Sequence, residues 1–274
     1  MIISIYLYYM EKLERNSLIV KDYENGVYIS ELCEKYSLHR STLQRILKKN
    51  KVKLHKNKSF IKCNKNFFST YSEKSAYWAA FIMADGSIRH DRNSLQITLA
   101  LKDKTHLYKF MSAIECLEID RVKIYKDKAS LTISIDEFKK DLLEKFNITS
   151  RKTYTAKISD KIPKKYLKDF LRGYMDGDGC VHLRSDNNIL TLSFVGTIPL
   201  LTQIKNHFKD TVQIKLKSKN TTPPITNIKN GVGSIYYSGK NAIKILEYLY
   251  GNYNDNLQLT RKFEIFNQAT RCFS

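Results

Sequence analysis

An α+β fold of two αββαββα repeats, with a small three-helix domain ahead of them, is what this 274-residue chain predicts. Three observations lead there. An apolar helical run, Leu171 to Gly179, ends in Asp176-Gly177-Asp178-Gly179, and a weaker copy, Trp78 to Gly86, ends in Ala84-Asp85-Gly86. Asp85 and Asp178 lie 93 residues apart, about one small domain, as in an internal duplication. Each run is followed by strand-like alternation and helical periodicity in the same order. The first 50 residues carry their own short helical patterns and are set off by a lysine-rich stretch.

From about Asn16 to Asn50, helices are predicted over Leu18 to Tyr23, Ile29 to Tyr36 and Ser41 to Lys49, with Glu24-Asn25-Gly26 as the first break. Val27, Ile29, Leu32, Tyr36, Leu38, Leu43 and Leu47 are spaced to close a small core. The arrangement resembles a helix-turn-helix of the resolvase type. In that reading Ser41 or Thr42 caps the third helix, and Arg40, Gln44, Arg45 and Lys48 lie on the face left for DNA. Arg and Gln reach base edges and the lysines meet phosphates. A plain three-helix bundle with a solvated basic face is the alternative. The expected domain thus covers residues 1–50, and the lysines, Asn, His and Ser of 51–66 read as a basic linker.

In the first repeat, 67–150, Ile88 and then Leu95, Ile97, Leu99 and Leu101 alternate with polar residues as two strands. Thr105 to Cys116 reads as a helix, Val122 to Tyr125 and Leu131 to Ile135 as strands, and Glu137 to Phe146 as a closing helix. The second repeat, 151–274, opens on a basic connector and repeats the order. Its strands are expected at Val181 and Leu183, Leu190 to Val195, Val212 to Leu216 and Ser234 to Tyr237, with helices at Pro199 to Phe208 and Asn241 to Tyr250. Related by a pseudo-twofold axis, the two sheets would form a saddle. Arg89, Gln96, Thr98, Arg121 and Lys123 would line its outer face from the first repeat, and His182, Arg184, Thr191, Ser193, Gln213, Lys215 and Lys217 from the second. This mixture suits major-groove and phosphate contacts, although any one member taken alone reads as a solvated strand residue.

The motif itself has a physical logic. Ala76, Ala79, Ala80 and Ala84 in one copy, and Gly173 and Gly177 in the other, would let two helix backbones approach closely. Gly86 and Gly179 suit the left-handed residue that often ends a helix, which places Asp85 and Asp178 at adjacent C-termini. Two acids and two negative dipole ends repel one another unless divalent cations fill the gap. Hard oxygen ligands beside a phosphate favour Mg²⁺. A lone Asp-Gly after an apolar helix is ordinarily just a turn. It is the pair of copies at domain spacing that carries the signal.

These stretches resemble the paired signature of the LAGLIDADG homing endonucleases. The first copy departs from it, with Met83 where the family's earlier, non-catalytic acid often stands and Ala80 where glycine is usual. The resemblance implies that the two helices pack together and that Asp85 and Asp178 bind metal and act as catalytic acids. It further implies a monomeric, metal-dependent, site-specific endonuclease whose double-strand breaks promote copying of its gene into an empty site. Lys240 matches a position where the family often carries a basic residue near the site, while its counterpart in the first repeat falls near Asp136. The same fold also serves non-cleaving proteins, an RNA maturase that helps an intron fold or a transcription regulator. Keeping both repelling acids speaks against lost catalysis.

Composition agrees with a polyanionic partner: 47 Lys+Arg stand against 27 Asp+Glu, a net charge of +20. Double-stranded DNA is the expected partner, with intron RNA as a further one. A membrane is not expected, because no apolar run reaches the ~20 residues of a spanning helix. Cys33, Cys63, Cys116, Cys180 and Cys272 form no Cys-x-x-Cys pair, so neither a zinc site nor a disulfide framework is predicted. A reducing cytoplasm, or an organellar or viral host compartment that holds the target DNA, is the expected setting.

Overall fold

The computed structural model describes residues 2–25, 27, 29–52, 61–89, 94–150, 152–186, 188–214, 223–251 and 257–273. They fall into two compact units, 1–59 and 60–274.

The first unit contains α1 (Ile2–Glu24), α2 (Ile29–Tyr36) and α3 (Arg40–Lys49). The first helix begins far ahead of the expected Leu18, because no glycine or proline interrupts residues 2–24. Among its described side chains, Ile19 and Tyr23 of the last turns pack with Ile29, Leu32, Leu43 and Leu47. Asp22 ties α1 to α2 by accepting from Lys35 Nζ at 2.8 Å and from the Tyr36 hydroxyl at 2.7 Å. The turn into α3 takes its left-handed residue at Ser37 (φ 49°), with no glycine. The cap of α3 is His39 rather than Ser41 or Thr42. Its Nδ1 accepts from the Ser41 N–H, so the helix starts one residue earlier than expected.

The second unit runs α4 (Glu73–Asp85), β1 (Gly86–Ile88), β2 (Leu95–Ala100), α5 (Lys104–Ala113), β3 (Val122–Ile124), β4 (Lys128–Ile133) and α6 (Asp136–Phe146). After the short α7 (Lys152–Thr155) the order recurs as α8 (Leu167–Asp178), β5 (Gly179–Leu183), β6 (Leu190–Thr197), α9 (Ile198–Val212), β7 (Thr226–Lys229), β8 (Val232–Ser238) and α10 (Lys240–Tyr250). A further helix, α11 (Thr260–Phe273), closes the chain. Two antiparallel four-stranded sheets result, ordered β1-β2-β4-β3 and β5-β6-β8-β7. Identical strand order in both halves is the duplication in three dimensions. The fold is the α+β pair of αββαββα repeats.

The second unit also differs from expectation. The alternation over Val212 to Leu216 is not a strand where described: α9 runs through Val212, Gln213 turns left-handed (φ 51°), and the strand lies at Thr226–Lys229. The stretch read as linker lies outside the described residues from 53 to 60. Beyond it, Ile61 is buried in the second unit and the Asn64 N–H donates to the Ile114 carbonyl at 2.8 Å. Helix α11 was not expected at all.

Sequence dictates how α4 and α8 meet. Ser72 caps α4 in a reciprocal capping box with Ser75. The face of α8 toward α4 carries glycine where contact is closest. A Cβ at Gly173 would stand 2.0 Å from the Tyr77 carbonyl oxygen, and one at Gly177 would stand 2.2 Å from Ala84 Cβ. No larger residue fits, and the two helices lie against one another at backbone distance. Each sheet buries one face beneath its helices, with Leu95, Ile97 and Leu131 on one side of the duplication and Val181, Leu192, Phe194 and Ile235 on the other.

Candidate active site at the paired helix ends

Because α4 and α8 cross at Gly177 and Ala84, their last residues, Asp85 and Asp178, end up beside one another. Gly86 and Gly179 follow them, but in extended rather than left-handed conformation (φ −77° and −81°). Each chain passes from helix straight into strand. A Cβ would press to 2.7 Å from the Ile82 carbonyl oxygen at Gly86 and to 2.4 Å from that of Met175 at Gly179. Glycine is required here for space, not for a left-handed turn.

Both carboxylates reach solvent while the helix ends crowd them from below. Partial burial, and then the charge of Asp178, pushes the Asp85 carboxyl up to about 6. Asp178 is also raised by burial, offset by Lys152, by a hydrogen bond from Tyr174 and by Lys262.

The repulsion expected of two acids at two negative helix ends is met by two lysines. Lys152, on α7, donates to the carbonyls of Met83 and Ala84 at 2.6 and 2.7 Å, capping α4. Lys262, on α11 and only 4 % exposed, caps α8 through the carbonyls of Met175, Asp176, Gly177 and Gly179 at 2.5 to 3.0 Å. Sequence reasoning missed both. Lys152 carries no local signal. Lys262 does, because it interrupts the apolar stripe Leu259, Phe263, Phe266, Ala269 of an amphipathic helix, where a solvated lysine has no place.

The earlier acid of the second copy has a different fate. Asp176 is fully buried and accepts from the Tyr77 hydroxyl at 2.6 Å, the Leu259 N–H at 2.9 Å and the Tyr250 hydroxyl. It thereby joins α4, α8, α10 and the start of α11. Burial raises its carboxyl, and the Tyr250 and Tyr77 hydroxyls pull it back. His106 stands behind Tyr77, its Nε2 3.0 Å from the hydroxyl, and burial holds it neutral at about 3.

The open sheet faces flank the helix ends. On the first, Ser87, Gln96 and Thr132 align across β1, β2 and β4, with Thr98, Ser130 and Lys123 in the parallel row. A cavity of ≈ 330 Å³ opens there, bordered by Gln96, Lys123 and Thr132 and by the acids Glu118 and Asp120. On the second, Cys180, Ser193 and Tyr236 form one row and His182, Thr191 and Ser238 another. Arg89 is exposed at the end of β1, and Arg184 is exposed and paired with Asp186 at 2.7 Å. Arg121 is engaged by Glu118. Gln213 is the C-cap residue of α9, and Lys215 and Lys217 lie outside the described residues. Lys240 is exposed at the start of α10, but the lysines acting on the two carboxylates are Lys152 and Lys262. In the first unit, Arg40, Arg45 and Lys48 are exposed and Gln44 is half-buried, on the face of α3 away from Leu43 and Leu47.

Among the described residues, no group of three or more His, Cys, Asp and Glu could hold a metal. The donor set at the helix ends is two hard carboxylates open to solvent. It fits a hydrated cation such as Mg²⁺, which takes one or two carboxylates and keeps its waters or gains phosphate oxygens.

No family model matches the chain. One curated relative, the probable translation initiation factor IF-2 of Methanocaldococcus jannaschii, is 27 % identical over 198 residues, which is 62 % of this chain. The match spans only 16 % of that relative's length. Solved structures similar to this chain include LAGLIDADG homing endonucleases. I-GzeII in complex with its DNA target gives TM-score 0.47 and 11 % identity over 74 % of this chain and 89 % of that one. I-LtrWI bound to target DNA gives 0.44 and 13 % over 77 % and 91 %. The full-length DUF199/WhiA protein from Thermatoga maritima gives 0.44 and 16 % over 75 % and 64 %.

Proposed function

We propose that this chain is a site-specific DNA endonuclease that uses divalent metal to hydrolyse one phosphodiester on each strand of its target. One observation carries the reading: Asp85 and Asp178 are held side by side, open to solvent, at the ends of two helices packed at backbone distance. A structural acid would gain nothing from that position, whereas two such acids can serve two phosphates across a duplex. When bound there, Mg²⁺ would supply Lewis acidity and a water of lowered pKa for in-line attack.

The chain's own residues do the rest. The +20 charge draws in the polyanion. Arg89, Gln96, Lys123, His182, Arg184 and Lys215 contact bases and phosphates, and Lys240 adds a phosphate contact. Arg40, Gln44, Arg45 and Lys48 of the first unit add a second, tethered site, which raises affinity by linkage. Lys152 and Lys262 neutralise the helix ends, so that the acids keep their places without metal and can exchange it.

That last feature also favours a second reading. With two lysines in place the acids need no metal to be tolerated, so a non-cleaving relative of this fold, a transcription regulator or an intron maturase, could keep them at little cost. Incubation with a randomised duplex library, in Mg²⁺ or in EDTA, separates the two. Cleavage of one sequence by the wild type in Mg²⁺, lost in Asp178→Asn, is the expected result. Selective binding without cleavage would leave the second reading standing.

A further inference from the structure

The two open sheet faces are related by the duplication, and beside the acids they differ in chemistry. Gly86 pairs with Ile97 as Gly179 pairs with Phe194, so each β1 position has a counterpart on β5 and each β2 position one on β6. Ser87 thus corresponds to Cys180, and Thr98 to Val195. Across the central strands Gln96 faces Thr132 as Ser193 faces Tyr236, so Thr132 corresponds to Tyr236. In the first repeat this surface is hydrogen-bonded: Gln96 Nε2 donates to Ser130 Oγ at 3.0 Å, and Ser130 Oγ lies 2.9 Å from Thr98 Oγ1. In the second it shows apolar groups to solvent. Val195 is 45 % exposed and Tyr236 54 % exposed, and Cys180, whose thiol behaves as a small hydrophobe, is exposed in the same row as Tyr236. The strands do not demand this, because threonine suits a strand as valine and tyrosine do and holds both positions in the first repeat. Nor is the patch remote. Cys180 lies two residues beyond Asp178, and Val195 is the next β6 residue past the Gly179–Phe194 pair toward the end of α8.

We infer that Val195 and Tyr236, flanked by Cys180, are specificity-determining residues that read thymine next to the phosphate served by Asp178. In the major groove thymine differs from the other bases by its C5 methyl group, and apolar surface is what gains from covering it. Withdrawing one methyl from water is worth about fourfold in affinity. This inference rests on the reading of the sheet as the DNA-facing surface.

The test is a binding measurement in EDTA, with the full-length chain and a duplex that it selects from a randomised library. Each thymine of that duplex is replaced in turn by deoxyuridine, which keeps every hydrogen bond and lacks only the methyl. In the wild type, replacement at one thymine or at two neighbouring ones should weaken binding about fourfold each. Val195→Ser and Tyr236→Ser should each lower that thymine-to-uridine ratio, and the double variant should bring it to about one. Because a ratio is read, general weakening or partial unfolding of a variant does not imitate the result. Absence of any sensitive thymine, or a sensitivity that survives in the double variant, overturns the inference and leaves the patch to another partner. Failure to select any duplex overturns it together with DNA binding. A selected duplex that is bound and never cut in Mg²⁺ removes only the endonuclease reading, and the uridine series still decides the role of Val195 and Tyr236.

Discussion

Replacing Asp176 by asparagine changes one atom in a fully buried polar cluster. Three donors converge on this carboxylate, the hydroxyls of Tyr77 and Tyr250 and the Leu259 N–H. Asparagine keeps one acceptor oxygen and turns an NH₂ toward groups that can themselves only donate or must rotate away. At least one buried donor loses its partner, at ~1–3 kcal/mol, and the surviving bonds fall from charged to neutral, at roughly 1 kcal/mol each. Relief of the buried charge returns part of this. A net loss of about 3 kcal/mol remains. For a unit of this size each kcal/mol moves Tm by ~2–4 °C, so Asp176→Asn should melt about 6–12 °C below the wild type. Calorimetry of the full chain measures it directly. Adding Tyr77→Phe removes one stranded donor, so the double variant should be less destabilised than the sum of the two single changes. A fall of under about 2 °C, or strict additivity, would refute the claim that this carboxylate pins α4, α10 and α11 together.

Other consequences are equally open to measurement. Gly173→Ala places a methyl against the Tyr77 carbonyl, which is backbone and cannot rotate aside, so a loss of about 3 kcal/mol or more is expected in urea unfolding, and a neutral effect would contradict the helix contact. Asp85 is raised from 3.8 to about 6 in the folded chain, so the folded state binds the extra proton between those values. Its contribution to stability is present below pH 4 and is lost as pH rises to about 6; the Tm difference between the wild type and Asp85→Asn should slope downward across that window and be flat above it. Cys180 is exposed on the row shared with Ser193 and Tyr236, while Cys116 is buried. N-ethylmaleimide should therefore label Cys180 and spare Cys116, weakening DNA binding at least about tenfold, and bound DNA should protect the thiol; labelling that leaves binding intact would place the duplex elsewhere.

Much of the second unit was legible because its signals are local. Asp-Gly after an apolar run, and the alternation of Leu95, Ile97 and Leu99, each depend on a few neighbouring residues, and both recurred at domain spacing. The α1 start at Ile2 was missed because apolar and polar residues there lack a clean period, although nothing forbids helix. Val212 to Leu216 alternates like a strand, yet Val212 finishes α9 and Gln213 turns left-handed. The two carboxylates were legible, but their neutralisers were not. Lys262 lies 84 residues beyond Asp178, and only the folded chain brings α11 beneath α8. For the same reason the two acids are not bare: Lys152 and Lys262 deliver, from a distance in sequence, positive charge that the motif does not contain.

The central claim is that Asp85 and Asp178 together hold a divalent cation against DNA. Mn²⁺ uptake by the complex of the full chain with its selected duplex, followed by electron paramagnetic resonance, tests it most directly. The expected result is tight uptake by the wild type, reduced in Asp85→Asn and in Asp178→Asn and abolished in the double variant. Undiminished uptake by the double variant would show that the cation, and the chemistry with it, belongs to other residues.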